Sequence, residues 1–194
     1  NHRKDFEIMK DGFLRVAAAT PDVSVADIAH NVTNIIARIK EANSRDAKVV
    51  VFPELCMTGY TCNDLFLQEL LLDKICDGLK EILAASIATD MLIVVGFPFF
   101  LHNSLYNVAA VIHEGKILGI VPKQHIPNYS EFYEARHFTT PGKGYERITL
   151  TALGDAGKDI PFGTNLLFQA DNMTEFILGI DICEDLWMPI PPSC

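Results

Sequence analysis

Three features of the sequence predict a layered α/β fold. Short apolar runs rich in β-branched residues, at 47–52 and 91–97, are separated by segments whose apolar residues recur at helical spacing. Two further apolar runs flank the compact turn Glu114-Gly115, the pattern of a β-hairpin. Glu54, Lys123 and Cys183 each follow directly on one of the apolar runs, so a single sheet can collect them at its strand ends. The resulting order, β-α-β-α-β-β-β, is one that packs helices in layers against a sheet.

Taken in order, residues 1–12 show no hydrophobic period and are set aside as a leader or an appended remnant, leaving 13–194 as one domain. Residues 13–19 alternate loosely and read as a first strand, ended by Thr20-Pro21. Ser24-x-x-Asp27 has the form of a capping box, and Ile28, Val32, Ile35, Ile36 and Ile39 follow at helical spacing, so a helix is expected over 24–42. Residues 47–52 form the continuous apolar run of a strand covered on both faces, and end in Pro53-Glu54. Asn63 or Asp64 is expected to cap a second helix that runs through Leu71, Ile75, Leu79 and Ile82 to Ala88. A buried strand over 91–97 follows, then hairpin arms over 104–113 and 116–121, ending in Pro122-Lys123. Residues 124–138 are irregular and rich in aromatic and charged side chains. Strands are expected over 166–169 and 174–182. The last of these places Cys183 rigidly at the end of a buried strand, ahead of Glu184, Asp185 and the only tryptophan, Trp187.

Composition narrows the function. Of 194 residues, 49% are hydrophobic and 21% charged, an ordinary globular balance. A net charge of −9 and a pI near 5.0 argue against nucleic acid or an anionic membrane as partner. No apolar run reaches the ~18 residues of a membrane span, and no signal peptide precedes the first strand. Five irregularly spaced cysteines without a CxxC pair suit reduced thiols in a cytoplasmic protein. The Asn-x-Thr matches at Asn31 and Asn172 carry no weight without a secretory signal. His113, His125 and His137 lack ligand spacing, so no metal is expected and they read as loop or surface residues. Gly142-Lys143-Gly144 lacks the spacing of a phosphate-binding loop and reads as a turn. Cys56 and Cys62 read as packing residues, and Cys76 as core.

Glu54, Lys123 and Cys183 together suit acyl transfer. A thiol attacks a carbonyl as thiolate and needs a base, which Glu54 can supply. The tetrahedral intermediate carries an oxyanion, which a fixed ammonium such as Lys123 can stabilise together with a backbone N–H near Cys183. Singly, each residue is more ordinarily a solvated glutamate, a surface lysine or a packed thiol. Their joint occurrence at strand ends is the argument for a catalyst acting on an amide or nitrile.

The blocks that carry these residues resemble a known family. Phe52-Pro53-Glu54-Leu55 with Thr58-Gly59-Tyr60, then Pro122-Lys123, then Ile182-Cys183-Glu184-Asp185-x-Trp187 are similar to the carbon–nitrogen hydrolase (nitrilase) superfamily. Within it, the run from Pro122-Lys123 through Ile126-Pro127-Asn128-Tyr129 to Glu134 resembles the glutaminase domains of glutamine-dependent NAD synthetases, as does Cys183-Glu184-Asp185-Leu186-Trp187. The resemblance implies the α-β-β-α sandwich of that superfamily with its C-terminal part missing. It implies Glu54 as general base, Cys183 as the nucleophile that forms a glutamyl thioester, Lys123 as oxyanion holder, and Glu134 as the second glutamate that orients the lysine. Tyr60, Tyr129, Phe132, Glu184 and Trp187 would line a glutamine pocket, with Glu184 pairing with the α-ammonium. It implies no cofactor for this domain, with ATP and Mg bound by an absent synthetase domain that receives the ammonia, and a homo-oligomer. With strands and covering layers missing, one side of the Cys183 cleft is expected to be open. An amidase acting on another small amide, or a catalytically silent binding domain, are the alternatives.

Overall fold

The computed structural model describes residues 13–194, and the expected leader over 1–12 lies outside the described residues. Strands β1 (Val16–Ala18), β2 (Val49–Val51) and β3 (Leu92–Leu101) run parallel, joined by helices α1 (Ile28–Ser44) and α2 (Glu69–Ser86). β4 (Ser104–His113) and β5 (Lys116–Pro122) continue the sheet as the expected hairpin, with Glu114 and Gly115 both at positive φ in its turn. Beyond them, β6 (Tyr145–Ile148) and β7 (Ile160–Gly163) complete a seven-stranded sheet of order β1-β2-β3-β4-β5-β7-β6. Strand direction decides where the site can form. β3 is parallel to β2, and β4 and β5 each reverse, so β2 and β5 run the same way and leave the sheet at the same end. Glu54 and Lys123 lie just past those two ends.

The helices cover one face of the sheet. Ile28, Val32, Ile35 and Ile39 of α1 are buried against it, each worth about 1.5–3 kcal/mol, so packing rather than propensity holds this isoleucine-rich helix. The opposite face, through Val94, Ala109 and Val111, packs on Phe168, Leu178, Ile180 and Ile182. Those residues come from a separate two-stranded sheet of β8 (Phe168–Ala170) and β9 (Met173–Leu178) and from the segment after it. Gly119 of β5 permits this close approach, because a Cβ there would lie 2.9 Å from the Phe168 ring and 3.0 Å from Leu166. The layers are thus helices, main sheet and small sheet, and no helical layer covers β8–β9 among the described residues.

Several local expectations are corrected. The capping box at Ser24 does not form. Asp27 caps α1 by accepting the His30 N–H at 3.0 Å, while the buried Asn31 side chain holds the Ser24 backbone. Neither Asn63 nor Asp64 caps α2, because residues 63–67 make a separate 3₁₀ turn and Gln68 is extended. That turn is held by Phe66, whose buried ring packs on Phe138 and His137, a tertiary contact that overrides the local pattern. The first strand shortens to three residues and leaves Phe13 exposed. β6 and β7 lie where no strand was expected, since Tyr145-Glu146-Arg147 is polar and Pro161 interrupts the other. Cys76 is half-buried rather than core. The strand before Cys183 ends at Leu178 and alternates between half-buried and exposed, so Cys183 is not carried on a buried strand. No helix among the described residues is long and apolar enough to cross a membrane.

Candidate active site

Glu54 sits on a loop pinned from two sides. The loop turns sharply, with Leu55 at φ 52° and Gly59 at φ 81°. Asn31 donates to the Met57 carbonyl at 3.0 Å, tying the loop to α1. Gly96 of β3 lies directly beneath it, where a Cβ would fall 2.6 Å from the Leu55 nitrogen and 3.1 Å from the Glu54 Cα. Lys123 continues the β5 ladder by donating its N–H to the Asn107 carbonyl at 2.8 Å.

The side chains then meet. Lys123, only 1% exposed, donates from Nζ to Glu54 Oε1 at 2.6 Å and to both oxygens of Glu134 at 2.8 Å. Glu134, 4% exposed and on a single 3₁₀ turn (Glu134–Arg136), also accepts the Tyr60 hydroxyl at 2.7 Å. Asn107 donates to Glu54 Oε1 at 2.5 Å. Lys123 and Asn107 thus both engage Oε1. Burial pulls the Lys123 ammonium down, but the Glu54 charge and the hydrogen bonds the lysine donates to Glu134 and Glu54 outweigh it, so the net direction is up and the lysine stays charged. Burial pushes the Glu134 carboxyl up, against the pull of Lys123 and Tyr60. Burial, then the Glu134 hydrogen bond, drives the Tyr60 hydroxyl up, which keeps it a donor.

Cys183 opens the 3₁₀ turn Cys183–Trp187 with φ 51°, the left-handed region that a non-glycine residue adopts at a cost of about 1–2 kcal/mol. Cys183 is exposed, and it lines the same cleft as Glu54, close enough to feel that residue's charge. Burial and the Glu54 charge raise its pKa, and Lys123 only partly offsets them. The raised pKa keeps the resting Cys183 a thiol beside Glu54. Cys56 differs, since burial in the core pushes its thiol up to about 12 while its Sγ points at the Gly96 carbonyl. Beside Cys183, a cleft of about 230 Å³ is lined by Pro53, Glu54, Val108, Gly179, Asp181 and neighbouring residues.

The expected pocket residues divide. Tyr60 joins the buried network through Glu134. Tyr129 donates to Glu184 at 3.0 Å and meets Phe132 edge to face, so these three cluster together, adjoining Cys183 in the chain at Glu184 but outside the residues that line the cleft. Trp187 is 73% exposed, and nothing encloses its ring. Three further residues were missed from the sequence. Asn107 falls mid-strand, and Asn31 was noticed only as a glycosylation match. His125, read as an ordinary loop residue, holds the buried Asp185 at 2.9 Å. Among the described residues, no group of three or more His, Cys, Asp or Glu is placed to hold a metal ion.

Residues 15–190 match the carbon-nitrogen hydrolase family. The chain is 40% identical over 188 residues to the glutamine-dependent NAD(+) synthetase of Mycobacterium tuberculosis, covering 97% of this chain and 27% of that protein. It is 31% identical over 176 residues to the same-named protein of Aquifex aeolicus, covering 91% and 26%. The chain therefore spans only about a quarter of the length of these curated relatives. A crystal structure of a glutamine-dependent NAD(+) synthetase from Cytophaga hutchinsonii superposes with a TM-score of 0.77 at 30% identity, over 88% of this chain and 28% of that one. A Saccharomyces cerevisiae nitrilase-superfamily member, at 16% identity and a TM-score of 0.64 over 91% of this chain and 57% of that one, shares the fold. With the family match spanning nearly the whole described chain and the nitrilase-type fold in place, the chain belongs to the carbon–nitrogen hydrolase family.

Proposed function

We propose that this chain hydrolyses the side-chain amide of glutamine through a thioester on Cys183 and releases ammonia to a synthetase domain that converts deamido-NAD to NAD. The observation that carries the reading is the Lys123 ammonium fixed between Glu54 and Glu134, with the Cys183 thiol beside Glu54. Glutamine as substrate is supported by the names of the relatives.

The reaction follows from the positions of the charges. Lys123 and Asn107 hold Glu54 Oε1, which leaves the other oxygen to take the Cys183 proton. As sulfur attacks the amide carbon, Glu54 becomes neutral and loosens its hold on the ammonium. A Lys123 N–H is thereby released to the forming oxyanion at the moment the charge appears, with a backbone N–H of the 183–187 turn as second donor. Glu54 passes the proton to the departing nitrogen, ammonia leaves, and the thioester forms. Water, deprotonated by Glu54, then cleaves the thioester to glutamate and restores the thiol. Glu134 touches no reacting atom and acts through Lys123. Glu184 would face the substrate α-ammonium, with Tyr129 orienting it. In this reading ATP and magnesium would be used by the synthetase domain, and the residues of this chain act on glutamine alone.

The test is a panel of glutamine, small aliphatic amides and nitriles given to the intact protein, with acid-quenched mass spectrometry of Cys183. Glutamine should be preferred and should leave a glutamyl adduct on Cys183, and Cys183→Ala should abolish both hydrolysis and adduct. Hydrolysis that survives Cys183→Ala overturns the mechanism, and a preference for small amides overturns the substrate.

A further inference from the structure

We propose that Asp185 is a positioning residue, the carboxylate that sets the nucleophile turn in register with the strand end carrying Lys123. The inference rests on the glutaminase reading above. Cys183 and Lys123 arrive on elements that no strand ladder joins, since β5 belongs to the main sheet and β9 pairs with β8 in the other. The two sheets meet through side chains such as Phe168 over Gly119, and such packing fixes distance between layers better than register along them. Asp185, only 2% exposed, supplies the missing link. Its Oδ1 accepts the backbone N–H of Gln124 at 3.1 Å and of His125 at 2.8 Å, and lies 2.9 Å from His125 Nδ1. Its Oδ2 accepts the Ile182 N–H at 3.3 Å and lies 3.3 Å from the Gln124 nitrogen. One carboxylate therefore binds the residue after Lys123 and the residue before Cys183. Among the described residues, the other side-chain hydrogen bond from this turn to the rest of the chain is the exposed Tyr129–Glu184 pair.

A carboxylate suits the place because every group facing it is a donor. Asparagine keeps the shape but turns an NH₂ toward at least one of those N–H groups, so the turn must shift. A left-handed residue such as Cys183 has little slack to absorb that shift, because its conformation persists only while its surroundings enforce it.

The experiment compares Asp185→Asn, His125→Ala and Cys183→Ala with wild type in the intact protein, reading glutamine kcat and KM. Iodoacetamide alkylation, mapped cysteine by cysteine, serves as the fold control. Buried Cys56 and Cys62 should stay protected wherever the fold is intact. Asp185→Asn should lower kcat about 10–100-fold with KM within about 3-fold, in line with other changes behind directly acting groups, while Cys183 remains alkylated. His125→Ala removes one donor and should lower kcat about 3–10-fold. An Asp185→Asn kcat within about 2-fold of wild type, with Cys56 and Cys62 protected, overturns the proposal. If Asp185→Asn exposes those cysteines, His125→Ala decides, and an unchanged kcat there overturns it too. Cys183→Ala separates the two readings: activity that survives it removes the glutaminase reading and Asp185's role together, whereas an inactive Cys183→Ala beside a fully active Asp185→Asn removes only the latter.

Discussion

Gly96→Ala tests whether the active-site geometry is set by backbone packing beneath the base. The new methyl would lie 2.6 Å from the Leu55 nitrogen, 3.0 Å from the Pro53 carbonyl oxygen and 3.1 Å from the Glu54 Cα. All three are backbone atoms, so no side-chain rotation relieves the contact. Restoring ordinary separations requires the Glu54 loop to retreat from β3 by roughly 0.5–1 Å. Such a shift is enough to cost about 10–100-fold in turnover, because the base must stay within hydrogen-bond reach of the Cys183 sulfur. Overpacking should also cost about 1–3 kcal/mol of stability, which leaves the protein folded at 25 °C. The assay is ammonia release from glutamine, with kcat and KM resolved and the thermal midpoint recorded alongside. The expected result is a lower kcat, a KM within about 3-fold and a modest drop in midpoint. A kcat within about 2-fold of wild type would show that the loop absorbs the methyl without moving Glu54, and the reasoning would fail.

Two further predictions concern charge. Lys123→Met strands two carboxylates around an apolar side chain and should destabilise the protein by about 3–5 kcal/mol in urea unfolding, and adding Glu134→Gln should recover part of that loss, whereas strict additivity would refute the ion-pair network. Because the carboxylates raise the Lys123 pKa against burial, its contribution is fully present below the ordinary lysine value of 10.5 and is lost as pH rises through the raised one, so the gap between wild type and Lys123→Met should narrow only in strong alkali. Cys183 alkylation should rise with pH about a midpoint above the ordinary 9.0, and Glu54→Gln should lower that midpoint by removing the charge that pushes it up. Faster alkylation together with lost turnover is the expected pair in Glu54→Gln, and a midpoint that rises instead would place the thiol away from Glu54.

The sequence alone determined the alternation of elements and singled out the candidate reactive groups. Helical spacing of Ile28, Val32, Ile35 and Ile39 specifies one buried face, because only that period keeps four β-branched side chains on the same side. Glu114-Gly115 specifies the hairpin, because its residues must adopt positive φ for β4 to fold back on β5. The three motif blocks likewise pointed to Glu54, Lys123 and Cys183, each a short stretch whose chemistry is local. What the sequence could not determine is how far apart those residues stand. β2 and β5 are three strand spacings apart, roughly 14 Å, so the meeting of Glu54 and Lys123 depends on sheet order, on the loop held over Gly96, and on the length of both side chains. Asn107 takes its meaning only from lying on β4, next to β5 and on the way to β2, and Asp185 only from a segment that shares no ladder with β5. Periodicity reports which way a side chain faces within its own element. Pairings across elements are set by tertiary packing, and so the buried charge network and the register of the Cys183 turn emerged only with the structure.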